Sequence, residues 1–78
     1  MNRNTKLYVI AFKELIDEVL RENKDNPQRA KELIINEVLR EAKKAFKPQD
    51  YQEIKMHAIK RLTELGLSFK DLEDVLEH

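Results

Sequence analysis

The chain's helix-breaking residues are one glycine and two prolines, and their positions decide what it can fold into. Asn26-Pro27 reads as a helix start: asparagine caps, and proline suits the first helical position, where a backbone N–H would have no partner anyway. Lys47-Pro48-Gln49-Asp50 is a second break, because the residue before a proline is pushed out of helical geometry. Asp50 with Glu53 has the spacing of a capping box for the helix that follows. Gly66-Leu67-Ser68 is the third break: glycine takes the left-handed conformation that ends a helix, and Ser68 with Asp71 has the spacing of another capping box. These signals predict helices over about 6–23, 27–46, 51–65 and 69–77. The expected fold is all-α: a compact bundle of four helices, three long and one short at the C-terminal end, joined by short connections.

Seventy-eight residues make a single domain, and a chain this short buries only roughly 60% of the surface it exposes unfolded. With no cysteine, disulfides, thiolate metal sites and thiol catalysis are excluded, so stability must come from helix packing or association. Fifteen basic and fifteen acidic side chains cancel, which argues against a broad field for nucleic acid or anionic lipid. No apolar run approaches the roughly 18–20 residues that span a bilayer. The apolar run from Leu7 to Phe12 is cut short by Lys13 and Glu14 without a small-residue cleavage site, so no secretory signal is expected and a cytoplasmic setting is the default. Leu76-Glu77-His78 resembles the beginning of a Leu-Glu-polyhistidine purification tail, so His78 is given no functional weight.

At about 100° per residue, the first helix has a stripe of Tyr8, Phe12, Leu15 and Val19, flanked by Val9, Ile16 and Leu20. The second carries Ile34, Ile35, Val38, Leu39, Ala42, Ala45 and Phe46 over an arc approaching half its circumference. The third has Tyr51, Ile54, Ala58, Leu62 and Leu65, and the fourth Phe69, Leu72 and Leu76. One core requires an arc of about 100° or a little more. The second helix exceeds that, so it is either the central helix or shared between core and partner. Its wide face (Ile35, Leu39, Phe46), with the off-stripe residues Ile10 and Leu33, is the candidate interaction surface.

A near-repeat runs through the first two helices. Lys13-Glu14-Leu15-Ile16 and Glu18-Val19-Leu20-Arg21-Glu22 match Lys31-Glu32-Leu33-Ile34 and Glu37-Val38-Leu39-Arg40-Glu41, with one extra residue between the halves of the second copy. In a regular helix that residue rotates the second half by about 100°, so the expectation is convergence on good helix sequence and not duplication.

Sites for chemistry are sparse. His57 lies one turn from Glu53 and from Arg61; two ligands on one helix make an incomplete metal site, and the expected role of His57 is a boundary residue bonded to Glu53. General acid–base work needs a second converging group in a pocket. Ser68 and Thr5 are explained as caps and Thr63 as a helix-surface residue, and one glycine cannot build a phosphate loop. No enzyme activity, cofactor or small-molecule substrate is therefore expected. Among the basic residues, Lys43, Lys44 and Lys47 suit the negative end of the second helix's dipole. Lys55, Lys60 and Arg61 on the third helix are the candidate phosphate contacts if the protein binds DNA, but acidic residues interrupt both clusters.

The stretch Ile59-Lys60-Arg61-Leu62-Thr63-Glu64-Leu65-Gly66-Leu67-Ser68-Phe69-Lys70-Asp71-Leu72, within 51–76, resembles a helical pair in MerR-type transcription regulators. There a helix ends in a Leu-Gly-Phe/Leu-Ser corner and a short acidic helix follows. The likeness covers about a third of the chain and falls on the part that supports that family's DNA-reading unit. Residues 1–50 do not resemble the family's N-terminal helix-turn-helix and wing, so no functional residue is carried over.

The leading expectation is a cytoplasmic interaction or regulatory module that presents a helical surface to a protein partner or to a second copy. A small helical DNA-binding protein is the alternative, and an artificial helical sequence without biological function is a third.

Overall fold

The computed structural model describes residues 3–78; Met1 and Asn2, where a leader would begin, lie outside the described residues. The chain order is α1 (Arg3–Glu22), α2 (Pro27–Leu33), a π-helical segment (Ile34–Leu39), α3 (Arg40–Ala45), α4 (Pro48–Glu64), a single 3-10 turn (Lys70–Leu72) and α5 (Glu73–Glu77). The α2, π and α3 segments run on as one rod, so the all-α architecture of three long helices and one short one is present.

The punctuation acts largely as its chemistry dictates. Asn26 Oδ1 accepts from the Arg29 N–H at 3.2 Å, with Pro27 opening α2. At the end of α4 the Leu67 N–H reaches Leu62 O and the Gly66 N–H reaches Thr63 O, a Schellman stop centred on Gly66 at φ +96°. Ser68 and Asp71 then exchange hydrogen bonds: the Asp71 N–H donates to Ser68 Oγ, and the Ser68 N–H and hydroxyl donate to Asp71 Oδ2. The second break departs from expectation. Proline at the first helical position starts α4 at Pro48, capped by Lys47 without a side-chain bond, so Asp50 and Glu53 form no capping box. Asp50 is instead buried in the first turn, and Glu53 pairs with Lys13 of α1.

The core joins Val9, Ile16 and Leu20 of α1 to Ile34, Val38, Leu39 and Ala42 of the central rod and to Tyr51, Ile54, Ala58 and Leu62 of α4. Leu72 and Val75 close it from the C-terminal end. Phe12 and Phe46 meet edge to face at 5.1 Å on its rim. α1 lies chiefly along α4 and is rotated relative to its expected stripe. Val9, Ile16 and Leu20 form the buried row, while Tyr8 and Leu15 are exposed. The polar rim explains the rotation. Lys13 and Asp17 flank the buried row on one side and pair with Glu53 and His57 of α4, so α1 turns that edge inward.

The π-helical segment changes the account of the second helix most. Its i→i+5 hydrogen bonding accommodates one more residue per turn than an α-helix needs. Counted as a regular helix, Ala30, Lys31, Ile34, Val38, Leu39 and Ala42 spread over roughly 180°. Setting back the residues that follow the extra residue within the π segment, from Val38 on, by about 100° contracts the same set to roughly 120°, the arc one core requires. All six are buried. The buried row of the rod is thus no wider than one core requires, while Ile35 and Ala45, counted in the arc expected from the sequence, are half-buried and exposed.

Candidate functional site

The face expected to bind a partner is closed. Leu39 is fully buried, and Ile35 and Phe46 are half-buried against the core. Leu33 is also half-buried, so Ile10, at 42% exposure, is the single expected surface residue that stands in solvent. The arc of the second helix is used up inside the chain. Leu39 is withdrawn as a surface residue, and Ile35 and Phe46 serve chiefly as packing.

Exposed apolar side chains stand instead on the outer face of α1 and, elsewhere, at Met56, Leu65, Phe69 and Leu76. Phe69 and Leu76, expected on the apolar stripe of the last helix, leave its core contact to Leu72 and Val75. On α1 the exposed group is compact. Leu7 is 58% exposed, Tyr8 63% and Leu15 45%, with the exposed Ala11 between them at helical spacing. The buried row and this outer row are both apolar because positions 7–12 are apolar without interruption. Periodicity could show a wide apolar start to the helix, but not which side the rest of the bundle would cover.

At the base of this face, a cavity of about 340 Å³ opens between α1 and the first turn of α4. Thr5, Tyr8, Ala45, Phe46, Lys47, Gln49 and Asp50 line it. Asp50 is 3% exposed, and its Oδ1 has no hydrogen-bond partner among the described residues. Its position in the first turn of α4 places the carboxylate at the positive end of the helix dipole. The buried carboxylate follows from α4 starting at Pro48 and not at residue 51, which the sequence signal for a capping box obscured.

The basic residues proposed for phosphate are mostly engaged inside the protein. Lys55 is 8% exposed, and its Nζ donates to Leu76 O at 2.8 Å. Arg61 lies with Nε 3.2 Å from Asp17 Oδ1, within ion-pair range though not aligned for a hydrogen bond, and it also pairs with Glu64. Lys60 is exposed. Two further lysines share the work of Lys55 at the C-terminal end. Lys31 Nζ donates to Asp71 O at 2.9 Å and pairs with Asp74, and Lys43 Nζ donates to His78 O at 2.7 Å. Together they supply donors to carbonyls of the final turns, groups with no partner within a helix as short as α5.

His57 bonds Asp17 of α1 through Nε2 at 2.9 Å, and not Glu53 as its spacing suggested. Among the described residues no group of three His, Cys, Asp or Glu side chains is placed to hold a metal ion. His78, set aside in the sequence, lies 2.8 Å through Nδ1 from the Tyr51 hydroxyl. Burial first, then the charges of Lys43 and Lys55, lower its pKa. Burial also raises that of Tyr51. The hydrogen bonds from the Ser68 N–H and hydroxyl hold the Asp71 carboxyl below the usual carboxylate range. Among the described residues, no helix is long and apolar enough to cross a membrane.

Searches of protein-family models, curated proteins and solved structures find no match to this chain.

Proposed function

We propose that the protein is a small helical interaction module, working in the cytoplasm without catalysis of its own, that docks a protein partner on the outer face of α1. One observation carries this reading: Leu7, Tyr8 and Leu15 stand 45–63% exposed around Ala11 on one helical face, a second apolar row beside the buried one of the same helix. Scattered exposed apolar residues, such as Met56 on α4, are ordinary on a protein surface. Large side chains grouped along one helical face mark an interaction site. Ala11 at the centre leaves room for a partner helix to approach closely, and the larger residues on either side supply the area.

Site-specific photo-cross-linking in the cells that make the protein tests this. A photoreactive residue at position 11 is expected to give a discrete adduct, which a Leu7→Glu/Leu15→Glu background abolishes while leaving helicity intact. The same probe at Met56 is the control. Equal cross-linking from both positions, or an adduct indifferent to the two glutamates, would overturn the reading. If the adduct is a second copy of the chain, sedimentation of the wild type shows a mass that rises with concentration.

A further inference from the structure

We infer that the cavity between α1 and the start of α4 is a binding site for an ammonium group on an aliphatic stem, either a free alkylamine or a lysine side chain presented by a docked partner. Buried carboxylate oxygens in folded proteins have donors, and those that lack them need an explanation. Asp50 Oδ1 is shut off from water with no donor among the described residues, yet its residue forms part of the wall of a cavity of about 340 Å³. That volume falls at the lower end of the range for small-molecule sites.

The surrounding chemistry selects the ligand. The α4 N-terminus carries only about +0.5 of a charge, so it does not by itself offset the attraction of a carboxylate for a cation. An ammonium brings the donors that the carboxylate lacks. Phe46 and Tyr8 contribute aromatic surface and Ala45 a methyl group, walls suited to an aliphatic stem and, on the ring faces, to the cation itself. Thr5 is already engaged in an interaction of its own. Lys47 is the competing charge: it is exposed at the cavity wall, and no ion pair to Asp50 holds it there. Tyr8 belongs both to this cavity and to the outer face of α1, so a partner lying along Leu7 and Leu15 can direct a basic side chain into it. That version rests on the docking reading, whereas binding of a free amine does not.

Titration with n-butylammonium chloride, followed by amide NMR shifts, tests the site itself. Saturable shifts are expected at Tyr8 and across residues 46–51, with n-butanol, which has the same stem without the charge, at least tenfold weaker. Asp50→Asn should weaken butylammonium at least tenfold. Tyr8→Ala, at a position too exposed to support the fold, should weaken it severalfold. The source of the ammonium is separated by a leucine-flanked lysine peptide. A peptide at least tenfold tighter than butylammonium, with that gain lost in Leu7→Glu/Leu15→Glu, assigns the site to a partner's lysine; no gain assigns it to free amines. The inference is overturned if butylammonium causes no saturable shift, if the Asp50→Asn variant and the wild type bind it equally, or if binding emerges only after Lys47→Met. The last result would make Lys47 itself the occupant. None of these failures touches the cross-linking test of the α1 face, so the two proposals fail separately.

Discussion

α1 and the rod of residues 27–45 contain nearly the same segment, yet one is a regular helix and the other is interrupted by a π segment. Between the matching halves, α1 has Asp17 alone where the rod has Ile35 and Asn36. The burial of the two copies agrees at six of the nine matching positions and differs at three, where Lys13, Leu15 and Val19 are more exposed than Lys31, Leu33 and Val38. Ile16 and Ile34 are fully buried, Leu20 and Leu39 are buried, Glu14 and Glu32 are exposed, and so are the Arg-Glu pairs that end each match. A regular helix with one more residue would turn Leu39, five positions on from Ile34, away from the core. The π segment, Ile34–Leu39, lies where the extra residue falls and absorbs it. The rotation expected from the sequence does not occur, and Ile16 and Ile34, like Leu20 and Leu39, hold equivalent buried positions in the two segments.

Deletion separates the two copies most sharply. Removing Asn36, an exposed residue of the π segment, should let the rod close into a regular α-helix with both flanking faces unchanged, so stability should stay within about 1 kcal/mol of wild type. Removing Asp17 instead rotates Val19 and Leu20 by about 100° against α4. That strips buried area from a chain whose total stability is about 4–12 kcal/mol at its length, and the variant should be largely unfolded. Urea titrations followed by helical circular dichroism measure both. If loss of Asn36 proves as damaging as loss of Asp17, the equivalence of the two segments is wrong.

A second comparison asks whether Leu39 is core, as the structure has it, or surface, as its place on an over-wide arc suggested. Leu20→Ala and Leu39→Ala should each cost about 2–5 kcal/mol and match one another closely, since both truncate a buried leucine at the same register. Calorimetric or urea midpoints give the two values. A Leu39 substitution that leaves stability near wild type would restore Leu39 to the surface and reopen the face of the second helix.

These contrasts show which kinds of information the sequence carried. Breaks set by single-residue chemistry were readable: Asn26-Pro27, Pro48 and Gly66 stand at helix boundaries, and the Ser68–Asp71 box forms. Facing directions were not, for two different reasons. In the rod, angular counting assumes a uniform twist, and nothing in Ile34-Ile35-Asn36 marks a departure from it except the comparison with α1. In α1, Leu7 to Phe12 is apolar all round, and the choice of buried row depended on Glu53 and His57 forty residues away. The candidate surface failed with the first of these and moved to the outer row left by the second. Asp50 was visible as a residue but misassigned to a cap, and its burial depends on α4 beginning one turn earlier than the Asp50–Glu53 pattern indicates.

The smallest contrast concerns Lys13 and Lys31, which open the two matching segments. They share a position but not an environment. Lys13 is 30% exposed and pairs with a half-exposed Glu53, an arrangement worth about 0–1 kcal/mol. The side chain of Lys31 is 10% exposed, and its Nζ serves both the Asp71 carbonyl and the Asp74 carboxylate, tying the rod to the final turns. Lys→Met keeps each aliphatic stem and removes only the charge and its donors. At Lys13 the urea midpoint should move little. At Lys31 the Asp71 carbonyl loses its lysine donor, and a loss of about 1–3 kcal/mol is expected. The double variant with Asp74→Asn apportions that loss: if the carbonyl bond dominates, Asp74→Asn alone is mild and adds little to Lys31→Met. Equal effects at Lys13 and Lys31 would mean that α5 is held by its apolar contacts through Leu72 and Val75, with the lysine donors incidental.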